Sequence, residues 1–270
     1  MGKVRWSVRD VLWALGMLVV ASAACAQEPA QKVPDLSGSW AMIQILPAVA
    51  QLPFLGEVEL TTVVVSRVDV EQDGLQLVLQ DTYCYTDLAM APPVLQSRVP
   101  ERFIASLTPS PRVAALEWRD GMWTMRQEPY VEVRGAQLAD PLEDPLPRDA
   151  YDPRVCDPDC DGHPGLTVPV CVAGLVCGET YVVQRILTEL DGLVRSDGEI
   201  TGRIDWQSEQ NVLAASDLLL TMPYTYALHP DAARHRFAMV RVESEISCTA
   251  LRELADELMA LALSLAPPLG

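Results

Sequence analysis

The chain has 270 residues and a formal net charge of −17. That length is enough for one substantial core, or for one core with an inserted subdomain. So acidic a surface repels nucleic-acid phosphate and anionic lipid and attracts cations. No basic cluster interleaved with aromatics offsets it, and nucleic-acid binding is set aside.

At the N-terminus Lys3, Arg5 and Arg9 precede an apolar run from Val11 to Val20, followed by the small residues Ala21-Ser22-Ala23-Ala24-Cys25-Ala26. A basic start, a short greasy core and an Ala-x-Ala site predict a secretory signal peptide over residues 1–26 and a single mature domain over 27–270. Cleavage has two readings. Ala24-Cys25-Ala26 before Gln27 suits an ordinary signal peptidase. The same run resembles a lipobox, with Ser22 where a Leu or Val is usual, and Cys25 would then be the lipid anchor of a bacterial lipoprotein. Either way the protein is expected to be exported: periplasmic, outer-membrane-attached or secreted. A membrane-spanning helix takes roughly 20 apolar residues. The leader core is shorter, and no later segment reaches that length without charge, so no transmembrane span is expected.

From Gln27 to Asp35 the chain is a polar, proline-bearing tether, and from Leu36 onward the pattern is largely β. A first strand opens at Gly38-Ser39-Trp40 and runs through Ala41 to Leu46. Val58 to Val70 is a β-branched run read as one long strand. Leu75, Leu77 and Leu79 alternate with Gln76 and Gln80, as strands with one buried face do. Pro100 to Leu107 reads as a short helix with Pro near its start and Phe103, Ile104 and Leu107 on one face. Trp118 and Trp123 flank Asp120-Gly121 and are expected to pair across a hairpin. Asp140 to Pro169 is rich in Asp and Pro, and it is read as an acidic insertion between strands, held by disulfides and by metal. Tyr181 to Leu190, the alternating series Ile200, Gly202, Ile204 and Trp206, and Phe237 to Val242 are further strands. Leu251, Leu254, Leu258, Met259, Ala262 and Leu265 recur at helical spacing behind Thr249, an expected N-cap. This C-terminal helix is expected to pack against the barrel or over one mouth.

Asp73-Gly74, Asp120-Gly121 and Asp197-Gly198 each sit between β-like runs and suit tight hairpin turns. The expected fold is therefore mainly β: an antiparallel meander of about ten strands, forming a barrel or a sandwich, with a C-terminal α-helix. Six cysteines remain after the leader: Cys84, Cys156, Cys160, Cys171, Cys177 and Cys248. An even count in an exported chain favours disulfides. Close spacing suggests that Cys156, Cys160, Cys171 and Cys177 pair among themselves, which leaves Cys84 with Cys248.

Two resemblances bear on function. Gly38-Ser39-Trp40 resembles the Gly-x-Trp signature near the start of lipocalin-like barrels, where the Trp plugs the barrel base. It implies a cup for a small apolar ligand and no catalysis. Asp157-Pro158-Asp159-Cys160-Asp161-Gly162 resembles the start of an EF-hand calcium loop. By that resemblance Asp157, Asp159 and Asp161 ligate Ca²⁺ through their side chains and His163 through its carbonyl, while Gly165 leaves room for water. Val168 stands where the family has a bidentate Glu, so Asp149 or Asp152 is expected to fill the gap. The site would be weak, roughly 10⁻⁴ to 10⁻³ M. The plain alternative is a solvated acidic turn whose aspartates cap local amides. A zinc site from Cys156, Cys160, His163, Cys171 and Cys177 is a third reading.

The three histidines, His163, His229 and His235, are read as loop or surface residues. No Gly-x-Ser-x-Gly elbow, His-Glu-x-x-His pair, phosphate loop or dinucleotide fingerprint is present. The sequence thus points to an exported non-catalytic barrel with a structural calcium loop and a small apolar ligand. The alternatives are an extracytoplasmic hydrolase and a purely structural envelope protein that makes interactions.

Overall fold

A computed structural model describes residues 31–264, apart from 53–55, 92, 94, 98, 173, 197 and 222–224. The expected signal peptide, the Cys25 anchor, the Asp197 turn position and Leu265 lie outside the described residues. Among the described residues every secondary-structure element belongs to the compact unit that begins at Val33. In chain order the elements are β1 (Gly38–Leu52), β2 (Gly56–Asp73), β3 (Gln76–Ala91), β4 (Leu95–Ser97), α1 (Glu101–Ser106), β5 (Arg112–Arg119), β6 (Met122–Gln127), β7 (Tyr130–Arg134), β8 (Leu166–Val172), β9 (Val176–Ser196), β10 (Glu199–Ala215), β11 (Thr225–Leu228), β12 (Arg236–Arg241), α2 (Cys248–Glu253) and α3 (Ala255–Leu263).

Eight strands close a ring in the order β1, β2, β3, β5, β6, β9, β10, β12 and back to β1. Ring neighbours are neighbours along the chain once the short added strands are set aside, so the meander is an antiparallel barrel and not a sandwich. Closure removes the exposed edges that an open sheet would carry. At Asp120-Gly121 both residues take positive φ, 52° and 81°, as a two-residue hairpin turn of mirror-image type requires. The first hairpin differs by one residue: β2 keeps Asp73, and Gly74-Leu75 make the turn.

Alternation places Trp40, Met42 and Leu46 of β1 inside the ring with Val68, Leu79, Leu116, Met125, Ile200, Phe237 and Met239. The other face of β1 is buried as well. Ala41, Ile43 and Ile45 lie under α2 and α3 with Val65, Ala238, Leu251, Leu258 and Ala262. The C-terminal segment therefore packs on the outer wall, and the Cys84–Cys248 disulfide ties β3 to the first residue of α2. The single helix capped by Thr249 that the spacing predicts is replaced by two, meeting at Leu254. The cap is Ser247, whose hydroxyl accepts from the Ala250 amide at 3.2 Å. The Leu254 amide turns back to the Ala250 carbonyl and ends α2 there.

The long β9 carries β8, β7 and β6 along one edge and β10 along the other. The acidic insertion leaves that edge after β7 and returns at β8, so its irregular part spans 135–165 and Leu166 to Pro169 are already strand. Gly135 and Gly165 stand at its two ends with positive φ, and a Cβ on either would collide with the Val182 carbonyl of β9. Gly165 is therefore needed for close backbone approach. The insertion has a small apolar cluster of Ala136, Leu146 and Val183. The expected disulfides do not hold it: Cys171 pairs with Cys177 across the β8–β9 hairpin, and Cys156 and Cys160 are free thiols. Its ties are hydrogen bonds instead, among them Arg185 to the carbonyls of Pro141, Leu142 and Asp144.

Candidate metal centre

Local hydrogen bonds fold residues 157–163 back on themselves. Asp157 accepts from the amides of Asp161 at 3.2 Å and Gly162 at 2.8 Å, and Asp161 Oδ1 accepts from the His163 amide at 3.0 Å. Such turns suit Asp, whose short carboxylate reaches amides a few residues on. Asp159 points the other way, and its Oδ2 accepts from the Thr167 amide at 3.2 Å. As a result one carboxylate oxygen from each of Asp157, Asp159 and Asp161 lies within 4.8 Å of the others, a cluster able to hold a metal ion.

The cluster is under-satisfied. The Asp159 side chain is buried at 0% exposure, yet its Oδ1 has no hydrogen-bond partner. The Thr167 hydroxyl is buried beside Asp161 and makes no hydrogen bond of good geometry. Burial raises the Asp159 carboxyl above its ordinary value. Burial also pushes on Asp161, but the Thr167 hydroxyl, the His163 amide and Arg102 together hold it below. Buried oxygens without donors normally find a partner, and three carboxylates are hard donors of the kind Ca²⁺ prefers.

The expected gap-filling ligands and the soft set are placed elsewhere. The His163 ring stacks on Tyr181, with centroids 4.2 Å apart; its expected role is through the carbonyl alone. Asp149 bonds the Tyr151 amide, and Asp152 is held by Arg154, so neither fills the twelfth position. Val168 packs with the apolar cluster around Phe103. The soft zinc set is dispersed, because Cys171 and Cys177 are bonded to each other.

Arg102 and Thr167 carry weight that the sequence does not signal. Arg102 Nη2 lies 2.8 Å from Asp161 Oδ2. The β4–β8 register explains the meeting. Ser97 pairs with Val170 in antiparallel sense, so the residues after β4 run toward those before β8. Sequence spacing holds no trace of this.

The barrel interior combines apolar packing with a belt of polar side chains. At one end Trp40 is fully buried, donates Nε1–H to the Leu36 carbonyl at 2.9 Å, and lies under the Arg241 guanidinium at 4.7 Å. Arg241 also bonds the Ser37 and Asp35 carbonyls, fastening the entry of β1. Beyond this floor lies a polar belt. Arg112 grips Asp81 through two bonds of 2.6 and 2.8 Å and also donates to Gln127. Burial raises the Asp81 carboxyl, and Arg112 pulls it back. Next to it Tyr83 donates to Glu132, which also takes Arg134. Burial pushes Tyr130 up to about 12.

His235 lies outside any helix or strand, just before β12, but it is buried and not at the surface. It is 4% exposed, accepts from Trp206 Nε1 at 2.9 Å, and places Nε2 2.8 Å from the His229 carbonyl. His229 itself lies 3.6 Å from Glu59 and against Arg234. No described helix is long and apolar enough to cross a membrane. Compared with family models, curated proteins and solved structures, the chain matches none.

Proposed function

We propose that this chain is an exported, non-catalytic barrel protein of lipocalin-like build whose acidic insertion is held by a calcium ion. The observation that carries the ion is the buried, unpartnered Oδ1 of Asp159, whose carboxylate brings an oxygen within 4.8 Å of those of Asp157 and Asp161. In water such an oxygen would be solvated. Here a divalent ion with Thr167 as an added oxygen ligand would satisfy it. Support for the lipocalin-like build comes from the Gly38-Ser39-Trp40 start and the eight-strand meander that closes β12 on β1. Export is supported by the two disulfides and by the leader pattern. The ion's role is structural: it pins a loop whose own apolar cluster is small.

The test is calcium titration calorimetry on the exported, disulfide-bonded protein beside Asp159→Ala. Heat in the parent and none in the variant is the expected result. No heat in the parent at millimolar calcium would leave the aspartates as turn-formers and end the reading.

A second reading, carriage of a small ligand, rests on an open hollow of about 540 Å³ whose border mixes Leu187, Trp206 and Leu228 with the polar Thr188, Glu189, Asp205, Gln207 and Ser208. That volume is in the range of small-ligand sites. An apolar fluorophore that brightens with the parent and not with Leu187→Glu supports it; equal response overturns it. The three histidine environments add no observation in favour of the hydrolase.

A further inference from the structure

A side chain of α1 reaches into the acidic insertion. Arg102 places Nη2 2.8 Å from Asp161 Oδ2 and Nε 3.9 Å from Asp159 Oδ2. The two sides of this contact differ in freedom. The aspartate side chains are 0% and 6% exposed and are held by the Thr167 and His163 amides, whereas Arg102 keeps 46% of its side chain in solvent. A half-exposed guanidinium regains hydration when it turns outward, so giving up this pair costs it little. The carboxylates cannot follow.

The contact is also incomplete. Asp161 Oδ2 lies at ion-pair distance from Arg102, but the geometry does not make a hydrogen bond, and that oxygen remains buried and under-satisfied with Asp159 Oδ1 and Thr167 Oγ1. Asp161 Oδ1 is already taken by the His163 amide. The oxygen left for an ion on Asp161 is therefore the one Arg102 faces. Two cations at one carboxylate oxygen repel each other strongly where solvent is excluded.

We infer that Arg102 is the resident counter-cation of the aspartate cluster and that a divalent ion binds by displacing it, so that ion occupancy releases α1 from the insertion. The inference rests on the calcium reading above and adds regulation to it: the cluster exchanges an internal cation for an external one. α1 keeps its apolar anchor through the exchange, because Phe103 is buried against Leu166 and Val182. What changes is the polar tie between the start of α1 and the loop that precedes β8.

The experiment uses the exported, disulfide-bonded protein with calcium alone as the probe. Calorimetry compares the parent with Arg102→Gln, and the Arg102 Nε–H resonance of the parent is followed by NMR through the titration. Removing a competing half-exposed ion pair should tighten calcium about two- to fivefold in Arg102→Gln. In the parent the resonance should move to a fast-exchanging, solvent-like position as calcium saturates. Equal affinity with an unmoved resonance overturns the exchange and leaves the calcium site standing. Weaker binding by Arg102→Gln also overturns it and makes Arg102 a brace for the cluster. Absence of heat in both proteins removes the calcium reading and this inference together. Should Arg102→Gln fail to fold, the parent resonance decides alone.

Discussion

The barrel and the acidic insertion are built on opposite principles within one chain. Inside the ring, large side chains such as Trp40, Leu79, Met125, Ile200 and Phe237 exclude water almost completely, and the few polar groups are bonded to one another. In the insertion the same task falls to carboxylates that cap amides a few residues away, at Asp140, Asp149, Asp152, Asp157 and Asp161. Apolar burial is non-directional and sums over many contacts. Local capping is directional, individually small, and leaves residual charge to be balanced. The barrel can stand as a core, whereas the insertion has Leu146 and its few neighbours, ion pairs and the aspartate cluster.

The sharpest break between the two regions is covalent. Cys84–Cys248 closes a separation of 164 residues and fixes the helical cover to the barrel wall, so Cys84→Ser with Cys248→Ser should cost about 5 kcal/mol by loop entropy. Cys171–Cys177 closes six, and its removal should cost about 2 kcal/mol. Non-reducing urea melts measure both. Equal losses would show that loop closure is not what the longer bond contributes.

Within the barrel, Arg112→Met should cost about 3–5 kcal/mol, because it strands the buried Asp81 carboxyl and Gln127. The pH dependence has a definite sign. Burial raises Asp81, and without Arg112 nothing opposes that rise as strongly. A carboxyl whose folded pKa lies above its unfolded value favours the fold while protonated. The variant should therefore be most stable at low pH and lose stability as pH rises through the folded pKa. Urea midpoints at pH 5 and pH 8 read this directly, and a variant that is equally stable at both would sink the argument. Pairing the change with Asp81→Leu should restore most of the loss. Leu146→Ala in the insertion should cost less, about 2 kcal/mol, because its cluster is small and can collapse. Its effect should appear as faster proteolysis within 135–165 before any shift in global unfolding.

Legibility in the sequence follows the same division. Period-two alternation is readable in Ile200, Ile204 and Trp206, where one face is buried. On β1 the residues from Ser39 to Ala48 are all buried, because helices cover the outer face, and no alternation announces that cover. The Trp118–Trp123 pair follows from the intervening Asp-Gly turn and is present at 5.4 Å. The Asp81–Arg112 pair escapes a sequence reading, although Asp81 continues the inward series of Leu77 and Leu79, and Arg112 begins that of Ala114 and Leu116. In so acidic a chain a carboxylate carries little signal by itself. The aspartate cluster is legible because its geometry is local. Arg102 is not, because its position depends on the β4–β8 register, and two short strands leave no pattern strong enough to set one.

The smallest expected effect tests the insertion on its own terms. Asp152 accepts from Arg154 through the guanidinium at 2.7 and 3.0 Å and through the backbone amide at 2.9 Å. The Arg154 side-chain bond, with the amide behind it, holds the Asp152 carboxyl down to about 2, from an ordinary 3.8. A depressed folded pKa means that the fold prefers the charged form. The contribution is therefore fully present above the unfolded value near 3.8 and is lost as pH falls toward 2. Because the pair is open to solvent, screening keeps that contribution small. Asp152→Asn should lower the urea midpoint slightly at pH 7, and the difference from the parent should close as pH falls. Carbon-detected NMR titration should place the Asp152 midpoint at about 2. A midpoint at the ordinary aspartate value would mean that the insertion is not held by its local carboxylate bonds, and that it leans on the barrel or on a bound cation for its shape.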